Sequence, residues 1–321
     1  MNTNENLEQE IGLVSTANHF INSNTVDTSL EEIKSKHVIP VFTKFNEPLI
    51  SHSDFVGLTH DIISELFKTE VVNDPIIKVS HPVKGRIPEA KLKPASELLD
   101  SEKTLYYERM AFLIEIPTIC DLVEDNPLML TVGGVKAYNL DNYNSNRKDQ
   151  HFKVFIGLKN SVCTNLCIRT DGLKAEISVK SITELCEEIL TLVGSYNVVE
   201  HLAALKRLGG HKINENLLAI LVGRLKMYSH LSKHQKKHIP DIMFNDGQLN
   251  QFVNAIYHDP NFKMSGSGST TLWRLYNNAT EAVKSSYIDG FLNKNQQAFS
   301  FFEGLAEVLE GRSNKYDWYL N

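Results

Sequence analysis

The spacing of apolar residues changes period about halfway along this chain. The runs TLYYERMAFLIEIP, LMLTVGGVKAYN and HFKVFIGLKNSVCTNLCI are short and apolar, separated by Pro117, Pro127 and DNYNSNRKD. Such runs bounded by turn residues predict strands, and consecutive strands joined this way pair as an antiparallel meander. After Asp171 apolar residues return every three or four positions, in SITELCEEILTLVGS, NVVEHLAALKRLGG and NENLLAILVGRLKMYSHL, then in DGQLNQFVNAIYH, TTLWRLYNNATEAVKSSY and NQQAFSFFEGLAEVLEG. That is the helical period, and Gly209 with Gly210 supplies a stop for the second run. One helix precedes the strands: SDFVGLTHDIISELFKT places Phe55, Leu58, Ile62 and Leu66 on one face behind Ser53 as cap. Strands followed by helices predict an α+β fold, an antiparallel β-meander core followed by a mainly helical C-terminal half.

The pattern divides the chain into three stretches. Residues 1–35 are Asn-rich and acidic and read as a mobile N-terminal tail with a short helix near Thr28 to Lys36. Residues 36–180 form a helix-plus-sheet region, and 181–321 a helical region packed on it as one composite domain. At 321 residues and 42% hydrophobic content the chain can bury a sizeable core. No apolar run reaches the roughly 18 residues of a membrane span, and MNTNENLEQE has neither the basic nor the apolar part of a signal peptide. With only four cysteines, the expectation is a cytoplasmic protein with reduced thiols and no membrane partner.

Charge changes the picture. The net charge of -6 hides a basic segment: between Ala203 and Pro240 stand Lys206, Arg207, Lys212, Arg224, Lys226, Lys233, Lys236 and Lys237 against Glu215 alone. A second basic stretch, KVSHPVKGRIPEAKLK, precedes the strands. From these, Lys84, Arg86, Lys206, Arg207, Lys212, Arg224 and Lys226 are candidates to neutralise phosphate, with Arg109 beside Tyr106 and Tyr107 in the first strand. Trp273 and Tyr276 are candidates to stack on unpaired bases. Core packing accounts for that pair equally well, because i and i+3 share the buried stripe of an amphipathic helix.

Enzyme chemistry is sparse. Cys163 and Cys167 lack the CxxC spacing of a metal site, and as small buried hydrophobes they need no further role. A nucleophilic Cys163 requires a base that the sequence does not place beside it. His230, His234 and His238 recur every four residues, yet they are embedded in lysines that disfavour a bound cation. TVGGVKAYN lacks phosphate-loop spacing, so its glycines read as a close backbone approach or a bulge. SGSGST is a flexible connection capped by Thr270 or Thr271. These patterns nominate no catalytic residue, no metal ligand and no cofactor.

The segments SHPVKGRIPEAK, EKTLYYERMAFLIEIP, LTVGGVKAYN, HFKVFIGLKNSVCTNLC, GRLKMYSHL and LWRLYNNATEAVKSSYIDGFL closely resemble a family of unknown function carried by Bacteroidetes phages, plasmids and conjugative elements. The resemblance covers nearly the whole chain after residue 35. VCTNLC and LWRLYNNATEAVKS more weakly resemble the wider phage/plasmid-like protein family. Neither family supplies catalytic residues; the resemblance implies a bacterial cytoplasm and a mobile-element origin. Strands followed by a helix are also similar, at the level of fold, to the core of phage single-strand annealing proteins, which form oligomeric rings on single-stranded DNA without nucleotide. The leading expectation is therefore a non-enzymatic nucleic-acid-binding protein, single-stranded DNA its first candidate partner and a homo-oligomer its candidate assembly. A protein-interaction module engaging a host or element-encoded protein is the competing class, and an enzyme using Cys163 the third.

Overall fold

The long strand β5 (Arg109–Val123) organises the molecule, because its first half, Met110 to Ile116, is buried on both faces and its alternate residues face two different apolar clusters. Met110, Phe112, Ile114 and Ile116 enter the main core, whereas Ala111 and Leu113 enter a smaller cluster on the opposite face. Burial on both faces explains why this run reads as continuously apolar rather than alternating. The computed structural model describes residues 19–23, 25–37, 49–138 and 149–321.

β5 pairs with β6 (Asn126–Ala137), and β6 with β7 (Gln150–Asn160), all antiparallel, so the three expected strands do form a meander. The sheet is wider than the meander. β1 (Thr25–Thr28) and β2 (Ile76–Ser80) add on the β5 side, and β8 (Leu166–Cys167) and β9 (Leu173–Val179) both pair with β7. Pro117 falls where the register shifts between Ile116 and Cys120, a bulge that tolerates its missing N–H. Gly133 and Gly134 are needed for close approach. A Cβ at Gly133 would stand 2.1 Å from the Phe112 carbonyl oxygen, and one at Gly134 2.5 Å from the Phe55 ring.

Phe55 belongs to α2 (His52–Leu66), which lies on the main-core face of the sheet and meets Phe112 and Phe152 edge-on. Its cap is Ser51 rather than Ser53: the Ser51 hydroxyl accepts from the Asp54 N–H, and Asp54 accepts from the Ser51 N–H. The other helices are α3 (Ile182–Ser195), α4 (Val198–Gly210), α5 (Glu215–Tyr228), the short α6 (Lys233–Lys236), α7 (Asp246–His258), α8 (Leu272–Val283) and α9 (Phe291–Leu309). A two-stranded pair, β10 (Lys212–Asn214) with β11 (Ser269–Thr271), ties the start of α5 to the start of α8. The fold is α+β, with sheet and helices sharing one apolar core from Ile33 to Leu320.

Several expectations shift. The described part of residues 1–35 is not a tail: Phe20 and Ile21 are buried, β1 joins the sheet, and α1 (Leu30–Lys36) buries Ile33. The rest of that stretch lies outside the described residues. TLYYERMAFLIEIP is two strands, because β4 (Lys103–Tyr107) leaves the sheet to pair with β3 (Pro82–Arg86). That ribbon and the turns between its strands form an arm where a basic loop was expected, and β2 before it enters the sheet. β9 precedes the helical half; seven residues interrupted by a bulge gave too short an alternation to stand out.

Candidate nucleic-acid interface

α4 and α5 present the nominated cations because their opposite faces, with Leu205, Leu208, Leu218, Leu221 and Leu225, are buried in the core. Most of those cations already have partners. Lys206 binds Asp121 of β5 at 2.6 Å, and Lys226 binds Asp246 of α7 at 2.7 Å. Arg207 lies 3.6 Å from Glu303 and 3.8 Å from Glu310, both on the α9 side. The Arg224 guanidinium donates to the Asn321 backbone oxygen and stacks 4.9 Å over the Trp318 ring. Arg109 stands 3.5 Å from Glu108 and 3.9 Å from Asp289, and Arg86 donates to the Lys93 carbonyl. The pairing also marks the acids: Lys206 holds Asp121 below the usual carboxylate range, and Lys226 does the same to Asp246.

Of the ten nominated residues, only Lys84 on β3 and Lys212 on β10 are exposed cations whose side chains make no hydrogen bond or ion pair among the described residues. Lys212 lines a narrow 210 Å³ cleft with Glu124, Arg274 and the serine loop. That loop is self-contained, Ser265 to Ser267 at 2.6 Å and Ser267 to Ser269 at 3.0 Å, and Thr271 caps α8 by accepting from the Arg274 N–H. Trp273 and Tyr276 are fully buried, Tyr276 edge-on to Phe299 and Phe302, so neither offers a face to a base. Their stacking role is corrected to core packing, as the i, i+3 spacing allows.

A different basic site emerges at the end of the same segment. Lys233 and Lys236 on α6 and Lys237 just after it converge with Lys315 on a cleft of 670 Å³. α9 floors it with Gln296, Gln297 and Ser300, and Tyr316 forms a wall. The side chains of Lys233, Lys237 and Lys315 have no hydrogen bond or ion pair among the described residues. Lys236 reaches only the Ser229 carbonyl, at 3.4 Å, and the Tyr228 ring. The single acid lining the cleft, Asp241, accepts from the Tyr228 hydroxyl, which burial first and then the Asp241 hydrogen bond and charge push up to about 12. Four ammonium groups around one engaged carboxylate form an electrostatic sink for an anion. The charge count had included three of these lysines, but it held no sign that they, unlike their neighbours, are left without acids; Lys315 arrives from the far end of the chain.

The remaining candidates take structural places. Cys163 is buried with its thiol 3.6 Å from the Asn277 side-chain oxygen, and burial pushes it up to about 12, so it stays protonated at neutral pH. The turn around it is braced by polar contacts: Asn160 and Asn165 bind Asn277, and the Lys284 ammonium caps the Cys163 carbonyl while Thr164 takes a left-handed φ of 59°. Cys167 is fully buried and shifted further in the same direction. His234 and His238 meet edge-on at 5.8 Å, and among the described residues no group of three or more metal-ligating side chains could hold an ion. Nor, among those residues, is any helix long and apolar enough to cross a membrane.

No curated protein and no solved structure matches the chain. One family does, over residues 2–320, described as "Domain of unknown function, B. Theta Gene description (DUF3871)". The name refers to a Bacteroides thetaiotaomicron gene, in line with the Bacteroidetes family of unknown function that the sequence segments resemble. The match spans sheet, arm and helices alike, and the chain belongs to this family.

Proposed function

We propose that this chain is a non-enzymatic binding protein that takes the phosphate backbone of nucleic acid, single-stranded DNA in the first place, into the lysine cleft between α6 and α9. One observation carries the reading: Lys233, Lys236, Lys237 and Lys315 face one cleft with a single engaged acid. Lysine ammonium groups neutralise phosphate without reading bases, so recognition here is of charge and strand geometry rather than sequence. The sequence resemblance adds the setting, a bacterial cytoplasm and a mobile element undergoing replication, recombination or transfer. Cys163, protonated and buried, offers nothing to an enzymatic reading.

Fluorescence anisotropy of labelled single-stranded and duplex oligonucleotides tests the proposal. With three or four phosphate contacts, affinity for single strands should fall roughly twenty- to fifty-fold between about 50 and about 200 mM salt. Lys233→Glu/Lys237→Glu should abolish binding, whereas Lys206→Glu should leave it near the wild-type value. Binding that survives the cleft variant, or that ignores salt, overturns the reading.

A second reading has its own observation. The arm carries Leu92 at 95% and Leu99 at 62% exposure, with Val83 and Leu105 also exposed on the ribbon. Solvated leucines beside Lys84, Lys91 and Lys93 suit a protein partner better than a nucleic acid. A folded wild-type protein that binds no oligonucleotide at low salt shifts the assignment to this arm.

A further inference from the structure

The face of the sheet opposite α2 holds a second cavity, of 480 Å³, built around an interruption in the β7–β9 ladder. Phe152 pairs with Ile177 but Val154 pairs with Lys174, so Ala175 and Glu176 stand opposite Lys153 alone. A bulge of this kind bends its strand and re-aims side chains, and here it opens the sheet beside Lys153. Lys153 faces Val135 across the ladder, and Val135 with Ala137 makes an apolar floor. The Lys153 ammonium is half-buried. It donates to the Asp289 carbonyl at 2.6 Å and to the Asn293 side-chain oxygen at 2.7 Å, both neutral acceptors, leaving one N–H without a partner among the described residues. No carboxylate there comes within ion-pair distance, and burial pushes its pKa down from the usual lysine range. The cavity size is that of a small-molecule site: an apolar floor with a few polar groups at its rim.

We propose that this cavity binds a small organic monocarboxylate, its carboxylate on the spare Lys153 N–H and its body over Val135 and Ala137. The monoanion follows from the neighbours. The Asp289 carboxylate already faces Arg109 at 3.9 Å and Glu176 is an exposed residue of the lining, so Lys153 can balance one further negative charge but not the two of a phosphate dianion. The one lysine ammonium of the lining has a single spare donor, which matches a single carboxylate.

Thermal shift and titration calorimetry with acetate, propionate and 4-methylpentanoate, against methylamine and inorganic phosphate, test the assignment on the full chain. The carboxylates should raise the melting temperature, those with larger apolar bodies more, while methylamine and phosphate should not. Lys153→Met should weaken carboxylate binding about tenfold or more. Ala175→Leu, which fills the cavity from its half-exposed rim without touching a charge, should block binding while leaving the apo protein folded. Lys233→Glu/Lys237→Glu should leave carboxylate binding intact, which separates this cavity from the lysine cleft. Equal response to phosphate, or full binding by Lys153→Met and Ala175→Leu, overturns the proposal.

Discussion

Two parts of one basic segment meet opposite fates. On α4 and α5, Lys206, Arg207, Arg224 and Lys226 are met by Asp121 of β5, by Glu303 of α9 and Glu310 at its end, by the Asn321 backbone oxygen and by Asp246 of α7. On α6 and just beyond, Lys233 and Lys237 meet no such group among the described residues, and Lys315 adds to their charge. Both parts look alike in the sequence because acids are scarce near them in the chain. The fold brings acids to the first part and a further lysine to the second. Local charge density thus says where cations are, and only tertiary structure says which remain available to a ligand.

The largest test of this contrast lies with the nominated aromatics, which share the fate of the first part. Trp273→Ala should cost about 3–5 kcal/mol of stability, measured by urea denaturation, because it empties a fully buried site between α8 and its neighbours. Lys233→Glu/Lys237→Glu should stay within about 0.5 kcal/mol of wild type, as exposed, unpaired positions do. A Trp273→Ala protein of near-normal stability would mean that the ring is not core after all, and would restore it to the binding surface.

Acid titration sharpens the same contrast through two pH windows. His37 is held down to about 4 and His201 to about 3, mainly by burial, and His52 is also well below its ordinary 6.5. A depressed histidine takes up its proton more readily when unfolded, so stability falls as pH drops from about 6.5 toward 3, the range set by His201. From about 3.8 downward Asp121 and Asp246 add a second window that overlaps the end of the first: depressed by Lys206 and Lys226, they stabilise above their ordinary value near 3.8 and lose that contribution as pH falls through their folded values. Melting curves across pH should show both windows in the wild type. Lys206→Met/Lys226→Met should shrink only the lower one, and Lys233→Met/Lys237→Met should alter neither.

What could be read from the sequence follows the same division. The meander and the helical half were legible because β5, β6, β7 and the longer helices each carry a full period of apolar residues. β2 was not, because five residues flanked by His81 and Pro82 look like a basic loop until β5 is beside them. The split at Glu108 was hidden for the same reason: β4 and β5 follow each other with only Glu108 between them, and only their partners show that the two halves pair with different strands. The candidate site suffered more, since ion pairs such as Lys206 with Asp121 join residues far apart in the chain and leave no local signal. Of the cleft, the KHQKK cluster was visible, and its convergence with Lys315 was not.

The smallest effect is the most direct test of the contrast. Lys206 and Asp121 stand 2.6 Å apart, but both side chains are half-exposed, so their attraction competes with water and salt. A double-mutant cycle with Lys206→Ala and Asp121→Ala should give a small favourable coupling at low salt, well below the Trp273→Ala effect, that vanishes near molar salt. The control cycle pairs Lys237→Ala with Asp241→Ala across the cleft and should give less, because no ion pair joins the two among the described residues. A Lys206–Asp121 coupling of zero at low salt would mean that the ion pair does not hold Lys206 in place. The lysine would then be as free as Lys237 and would rejoin the candidate phosphate-binding cations.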